Sequence, residues 1–162
     1  MFEFKPSSDI IKNYELLITV IESHLKDESN LIANLANISS FIYNALPDVN
    51  WAGFYLTEGD LLILGPFCGK PACTRISIGK GVCGTAAQKG KVIVVPDVHA
   101  FEGHIACDGE TNSEIVLPLF QQGKVFGVLD VDSPVFDRFS QADVDGLTKI
   151  TKMISRYLEG LV

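Results

Sequence analysis

Three of the four cysteines in this 162-residue chain stand among glycines, turn formers and polar residues rather than in an apolar period. Cys107 lies in Gly103-His104-Ile105-Ala106-Cys107-Asp108, Cys83 in Gly81-Val82-Cys83-Gly84, and Cys73 follows Pro71-Ala72. A structural thiol behaves as a small buried hydrophobe, whereas side chains on loops are where site chemistry concentrates. Thiols so placed can ionise, attack an electrophilic atom and close disulfides. Cys83 precedes Gly84-Thr85-Ala86-Ala87-Gln88, a short helix whose aligned amides would favour its thiolate. His104 would support a thiolate at Cys107 if the two meet in space, and the adjacent Asp108 opposes it. Taken alone, His104 reads as an exposed loop residue.

The carboxylates form a second constellation. Asp130 and Asp132 end a strand two residues apart, so both point to one sheet face. Glu114 begins the preceding strand, and hairpin pairing would bring it beside them. Clustered carboxylates repel, which raises at least one pKa and supplies the protonated carboxyl that a general acid must have. The plainer alternative is a pair of strand-end aspartates capping a turn before Ser133-Pro134. Trp51, Gly53 and Tyr55 share a strand face, and the glycine between two aromatics could leave a slot suited to a methylsulfur group. Core packing is the competing role for them.

Two other patterns carry less. Gly79-Lys80-Gly81-Val82-Cys83-Gly84 satisfies G-x-G-x-x-G, but dinucleotide binding requires a parallel βαβ unit around it. The glycines read instead as shaping the loop that places Cys83. The spacing of the cysteines and the three histidines does not make a zinc knuckle, so no metal is expected.

These residues must be held by regular elements. Apolar residues at Ile10, Tyr14, Leu17, Ile21 and Leu25 mark one helix face, and Leu31, Leu35, Ile38 and Ile42 a second. A closing helix carries Val144, Leu147, Ile150, Ile154 and Leu158, with Ser140 and Asp143 as its capping signal. Between the helices lie two hairpins, Trp51–Leu56 with Leu61–Leu64 and Ile115–Phe120 with Val125–Val131, and a short strand from Lys91 to Val95. Pro118 cannot donate to a ladder, so its strand should be an edge or carry a bulge there. Residues 65–90 and 96–113 read as long irregular segments, and long loops in compact domains are usually functional. All four cysteines fall in them. This order predicts one α+β domain over residues 1–162, a mostly antiparallel sheet with helices packed on it.

Bulk properties narrow the classes. Hydrophobic content of 47% supports a substantial core. A net charge of −7 argues against nucleic acid and anionic membrane as partners, since both need a basic surface. The N-terminal residues do not make a secretory signal and no apolar run approaches a membrane span. A cytoplasmic protein with reduced thiols and transient catalytic disulfides is expected.

Asn50-Trp51-Ala52-Gly53-Phe54-Tyr55, Gly79 to Ala86, Gly103 to Asp108, Ser113-Glu114-Ile115-Val116 and Gly127 to Asp132 together resemble the free methionine-(R)-sulfoxide reductases, which are GAF-domain proteins. The resemblance spans about Ile10 to Leu158. It implies a six-stranded antiparallel sheet, and turnover by Cys73, Cys83 and Cys107; we assign Cys107 as nucleophile, Cys73 as the main resolving thiol and Cys83 as a second relay, while the helix-terminus argument leaves an exchange of roles between Cys107 and Cys83 open. It further implies a pocket lined by Glu114, Asp130, Asp132 and Trp51. Glu114 and Asp132 are the candidate acids, Asp130 would hold the substrate ammonium or the loop, and Tyr55 would bind substrate with Trp51 across the slot. The implied partners are free L-methionine-(R)-sulfoxide and a thioredoxin-like reductant, with no bound cofactor, and Cys68 is incidental. The amphipathic terminal helices would suit a homodimer. A non-catalytic GAF module sensing a small ligand or a redox signal is the alternative, and it has less need of three loop cysteines and a carboxylate cluster together.

Overall fold

The computed structural model describes residues 7–103 and 109–161. The expected helices form where the stripes place them. α1 (Ile10–Asp27) starts at Asp9, whose carboxylate accepts from the backbone N–H groups of Ile11 and Lys12. α2 (Leu31–Ala45) starts at Asn30, which accepts from Ala33 N. α4 (Gln141–Glu159) has the full reciprocal cap between Ser140 and Asp143, satisfying amides that a helix start leaves orphaned. Asp143 also accepts from Tyr14 Oη at 2.9 Å and pairs with Arg138 at 3.0 Å, which locks α1 onto α4.

Six strands form one antiparallel sheet: β1 (Trp51–Glu58), β2 (Leu61–Gly69), β3 (Arg75–Ser77), β4 (Ile93–Val95), β5 (Ser113–Gln121) and β6 (Lys124–Ser133), in spatial order β3-β2-β1-β6-β5-β4. α1, α2 and α4 cover one face, burying Leu17, Ile21, Leu35, Ile38, Ile42, Leu147, Ile150 and Ile154 against Phe54, Ile115, Leu117, Leu129 and Val131. Each such side chain contributes about 1.5–3 kcal/mol of burial. The other face carries α3 (Gly81–Lys89), packed over Tyr55, Ile76, Val116 and Val128. Among the described residues no helix is long and apolar enough to cross a membrane.

The segment 65–90 is more regular than its sequence suggests. β2 continues through Gly65 and Pro66 to Gly69, and β3 and α3 follow. Pro66 is tolerated because β3 pairs only with Leu61–Ile63 of β2, so the edge beyond is open and no ladder donor is needed there. Pro118 is accommodated in the same way. β4 reaches only as far as Val116 on β5, and the β5–β6 register shifts between Leu119 and Phe120.

Candidate active site

The register places the acidic residues. Glu114 on β5 lies opposite Asp132 on β6, which lies opposite Trp51 on β1. The next row on that face is Val116, Asp130 and Gly53. Three carboxyls and an indole therefore share one end of the sheet, on the face covered by α3. They line a cavity with Tyr55, Ala72, Ile76, Lys80, Cys83 and Thr111.

The expected slot between Trp51 and Tyr55 is filled. With no Cβ on Gly53, the indole leans over it, and a Cβ placed there would come within 2.6 Å of Trp51 Cη2. The ring then stacks on Tyr55 at 6.0 Å and on Phe67 at 5.3 Å, in the offset range such pairs favour. The result is a continuous aromatic wall rather than a gap. Its polar ends hold the neighbouring loop. Trp51 Nε1 donates to Lys70 O at 3.1 Å and Tyr55 Oη to Cys73 O at 2.9 Å.

Cys73 is disulfide-bonded, whereas Cys68 and Cys83 are free thiols. Cys68 pairs with Ala52, one residue out of phase with Phe67 and Trp51, so it faces away from the cavity. Cys107 and His104 lie outside the described residues. The flanks of their segment are nevertheless placed, because Glu110 is ion-paired with Lys70 at 2.6 Å. An exposed pair of this kind contributes little stability, but it sets the chain three residues past Cys107 beside the chain three residues before Cys73.

Cys83 overturns the helix-terminus argument. It is the third residue of α3, yet its thiol is buried and faces the carboxyls, with Sγ 3.2 Å from Asp130 Oδ2 and 3.9 Å from Glu114 Oε1. Burial, then the charges of Asp130 and Glu114, push this thiol well above its ordinary pKa. Amide dipoles cannot offset desolvation and like charge at contact distance. Cys83 is a protonated donor here.

Of the two candidate acids, Glu114 is the one whose pKa is clearly raised. Burial is the largest cause of its strongly raised pKa, followed by the charges of Asp130 and Asp132 and a hydrogen bond with Asp130. Asp130 is raised by burial to about 6, and the hydrogen bonds it accepts from Cys83, Glu114 and Asp132 limit that rise. Cys83, Glu114 and Asp130 bring ligand atoms within 4.8 Å of one another, a set that could seat a cation only by giving up protons that burial holds in place. Thr111 escaped the sequence reading. Its buried hydroxyl accepts from Asn50 Nδ2 at 3.3 Å and faces Asp132 Oδ2 at 3.5 Å. The polar run Thr111-Asn112-Ser113 ahead of a strand was the available signal.

Glycines seat α3 where Cys83 needs it. Gly79 and Gly81 take positive φ of 88° and 60°, and a Cβ on Gly84 would collide with the backbone oxygen of Ser77. Gly84→Ala should lower stability by about 1–3 kcal/mol, the usual cost of overpacking. Thermal denaturation checks it, and an unchanged Tm would mean α3 is not held against β3.

A six-stranded antiparallel sheet with helices on one face and an enclosed cavity on the other defines a GAF domain, and the sequence model of the GAF domain matches residues 31–158. A free methionine-R-sulfoxide reductase of Escherichia coli is 53% identical over 131 residues, covering 81% of this chain and 79% of its own. One from Saccharomyces cerevisiae is 47% identical over 150 residues, covering 88% and 83%. The X-ray structure of free methionine-R-sulfoxide reductase from Neisseria meningitidis in complex with its substrate superposes with a TM-score of 0.94 at 41% identity, covering 99% of this chain and 96% of that one. The chain belongs to the free methionine-R-sulfoxide reductase family of GAF-domain proteins.

Proposed function

We propose that this protein reduces free L-methionine-(R)-sulfoxide to methionine in the cytoplasm, using cysteine thiols that a dithiol such as thioredoxin resets. The observation that carries this reading is a buried carboxyl, Glu114, held protonated beside an aromatic-walled cavity whose lining includes Pro71 and Ala72, next in the chain to Cys73. In the first step a Cys107 thiolate attacks the sulfoxide sulfur while Glu114 delivers its proton to the oxygen. The protonated oxygen then passes from the substrate sulfur to the Cys107 sulfur, so that the sulfoxide S–O bond and the transient S–S bond break, a new S–O bond forms, methionine leaves, and Cys107 becomes a sulfenic acid. Cys73 displaces that oxygen as water, forming a disulfide, and exchange with the external dithiol returns both thiols.

The carboxylates also account for a free amino acid as substrate. Asp130 Oδ1 is buried without a hydrogen-bond donor among the described residues, and an ammonium group would satisfy it. A peptide nitrogen offers a single neutral N–H and no positive charge to balance the buried carboxylates. Trp51 and Tyr55 would hold the methylsulfur end, where sulfur–aromatic contact is favourable.

The test is NADPH consumption with thioredoxin and its reductase, comparing free L-methionine-(R)-sulfoxide, the S epimer and an N-blocked sulfoxide. Turnover confined to the free R epimer is expected. No turnover with any of the three, in protein whose thiols titrate as reduced, would replace this reading with a ligand-binding module.

A further inference from the structure

We infer that Cys83 is a positioning residue, a hydrogen-bond donor that fixes the Asp130–Glu114 pair, and not a thiol that carries electrons during turnover. The inference rests on the reductase reading of the site and concerns the one cysteine of the cavity that its chemistry leaves unused.

Three observations lead there. Cys83 is free while Cys73 is disulfide-bonded, so the oxidised form of the protein leaves it reduced. The residue is 4% exposed and belongs to the buried cluster of Val82, Ala86, Ile76 and Val116, where an external dithiol has no access. Its proton has an obvious acceptor, because Asp130 Oδ2 lies 3.2 Å away and is nearer than Glu114 Oε1 at 3.9 Å.

The consequence is a directed chain of hydrogen bonds. A carboxylate that accepts from a thiol is favoured in its charged form. With Cys83 donating, Asp130 is the acceptor of the pair and Glu114 is the member left holding the proton, which is the arrangement that proton delivery to a sulfoxide oxygen requires. Without that donor, the two carboxyls would compete for one proton, and Asp130 would take a larger share of it. The seat of α3 serves this geometry, since the close contact of Gly84 with Ser77 O holds the first turn of the helix, and with it the thiol, over β6.

A relay and a donor predict opposite results for the same substitution. Cys83→Ser keeps a donor and removes all redox capacity. It should retain thioredoxin-driven turnover within about threefold of wild type. Cys83→Ala removes the donor. The acid limb of its kcat/KM profile should move to higher pH by about one unit, because the Asp130 carboxylate loses a bond that favoured it, and the serine variant should restore the original limb. Alkylation of denatured protein quenched during turnover should find Cys83 as a free thiol at every time point.

Thioredoxin-driven turnover abolished in Cys83→Ser with the first turnover spared would establish the relay and overturn the inference. So would a Cys83→Ala profile superimposable on wild type. An activity-independent measurement separates this failure from failure of the reductase reading. The infrared S–H stretch, isolated as the difference between wild-type protein and Cys83→Ser, should lie at the strongly hydrogen-bonded end and shift as Asp130 titrates at about 6. A band typical of an unbonded thiol and insensitive to pH would overturn the inference even in a protein that reduces no sulfoxide.

Discussion

Glu114→Gln should lower turnover of the free sulfoxide by about 10²–10⁴-fold, the contribution of a positioned general acid, in a protein that folds normally. The amide keeps the shape of the side chain and its hydrogen-bonding reach but has no acidic proton to give. Steady-state kinetics with circular dichroism as the folding control make the measurement, and retention of more than a tenth of the activity would remove Glu114 from the reaction. Stability should change in a direction that identifies the cause. Glu114 is buried and its folded-state pKa lies above the unfolded one. As pH rises above the unfolded value, the folded state holds a proton that the unfolded state has released, and stability falls with pH until the folded pKa is passed. Glutamine removes this slope, so the variant should be more stable than wild type at neutral and alkaline pH and indistinguishable from it in acid. The proposed acid is thus a residue whose burial the fold tolerates at a cost.

The second large effect separates two thiols. Cys107→Ser should form no methionine even in a first turnover without reductant, whereas Cys73→Ser should form one equivalent and stop. The stalled Cys73→Ser protein should carry a sulfenic acid that a dimedone probe labels. Neither remaining cysteine can stand in for Cys73. Cys83, buried on the first turn of α3, keeps its protonated thiol on Asp130, and Cys68 lies on the opposite face of the sheet. Full thioredoxin-driven cycling by Cys73→Ser would show that another thiol resolves the intermediate, and quantified methionine release in a single turnover decides the matter.

The parts of this molecule that follow local period were legible in its sequence. The stripes of α1, α2 and α4 lie on the core as spaced, and the two-residue interval of Asp130 and Asp132 with the hairpin before it was enough to put Glu114 in their row. β3 was hidden because Ile76 is the only apolar residue in its three-residue span, too short for an alternation to register. The extension of β2 was hidden by Gly65 and Pro66, whose tolerance depends on how far a neighbouring strand reaches. The ionisation of Cys83 was misjudged for a related reason. The helix that would lower its pKa is local in sequence, while the carboxyls that raise it come from β5 and β6. Thr111 shows the same limit, since its hydroxyl gains meaning only from Asn50, just ahead of β1, and Asp132 on β6.

The two prolines in the sheet have a bearing on association between molecules. β2 and β5 each run well past the three-residue strand that covers their outer side, and a long bare strand edge is a template for pairing with another chain. Pro66 and Pro118 stand in those uncovered stretches and break the row of amide donors. The segment bearing Cys73 leaves the sheet from one of them, at the end of β2. A second copy that met either edge would find its ladder interrupted, so the thiol-bearing rim of the sheet is poorly suited to seeding aggregation through strand pairing.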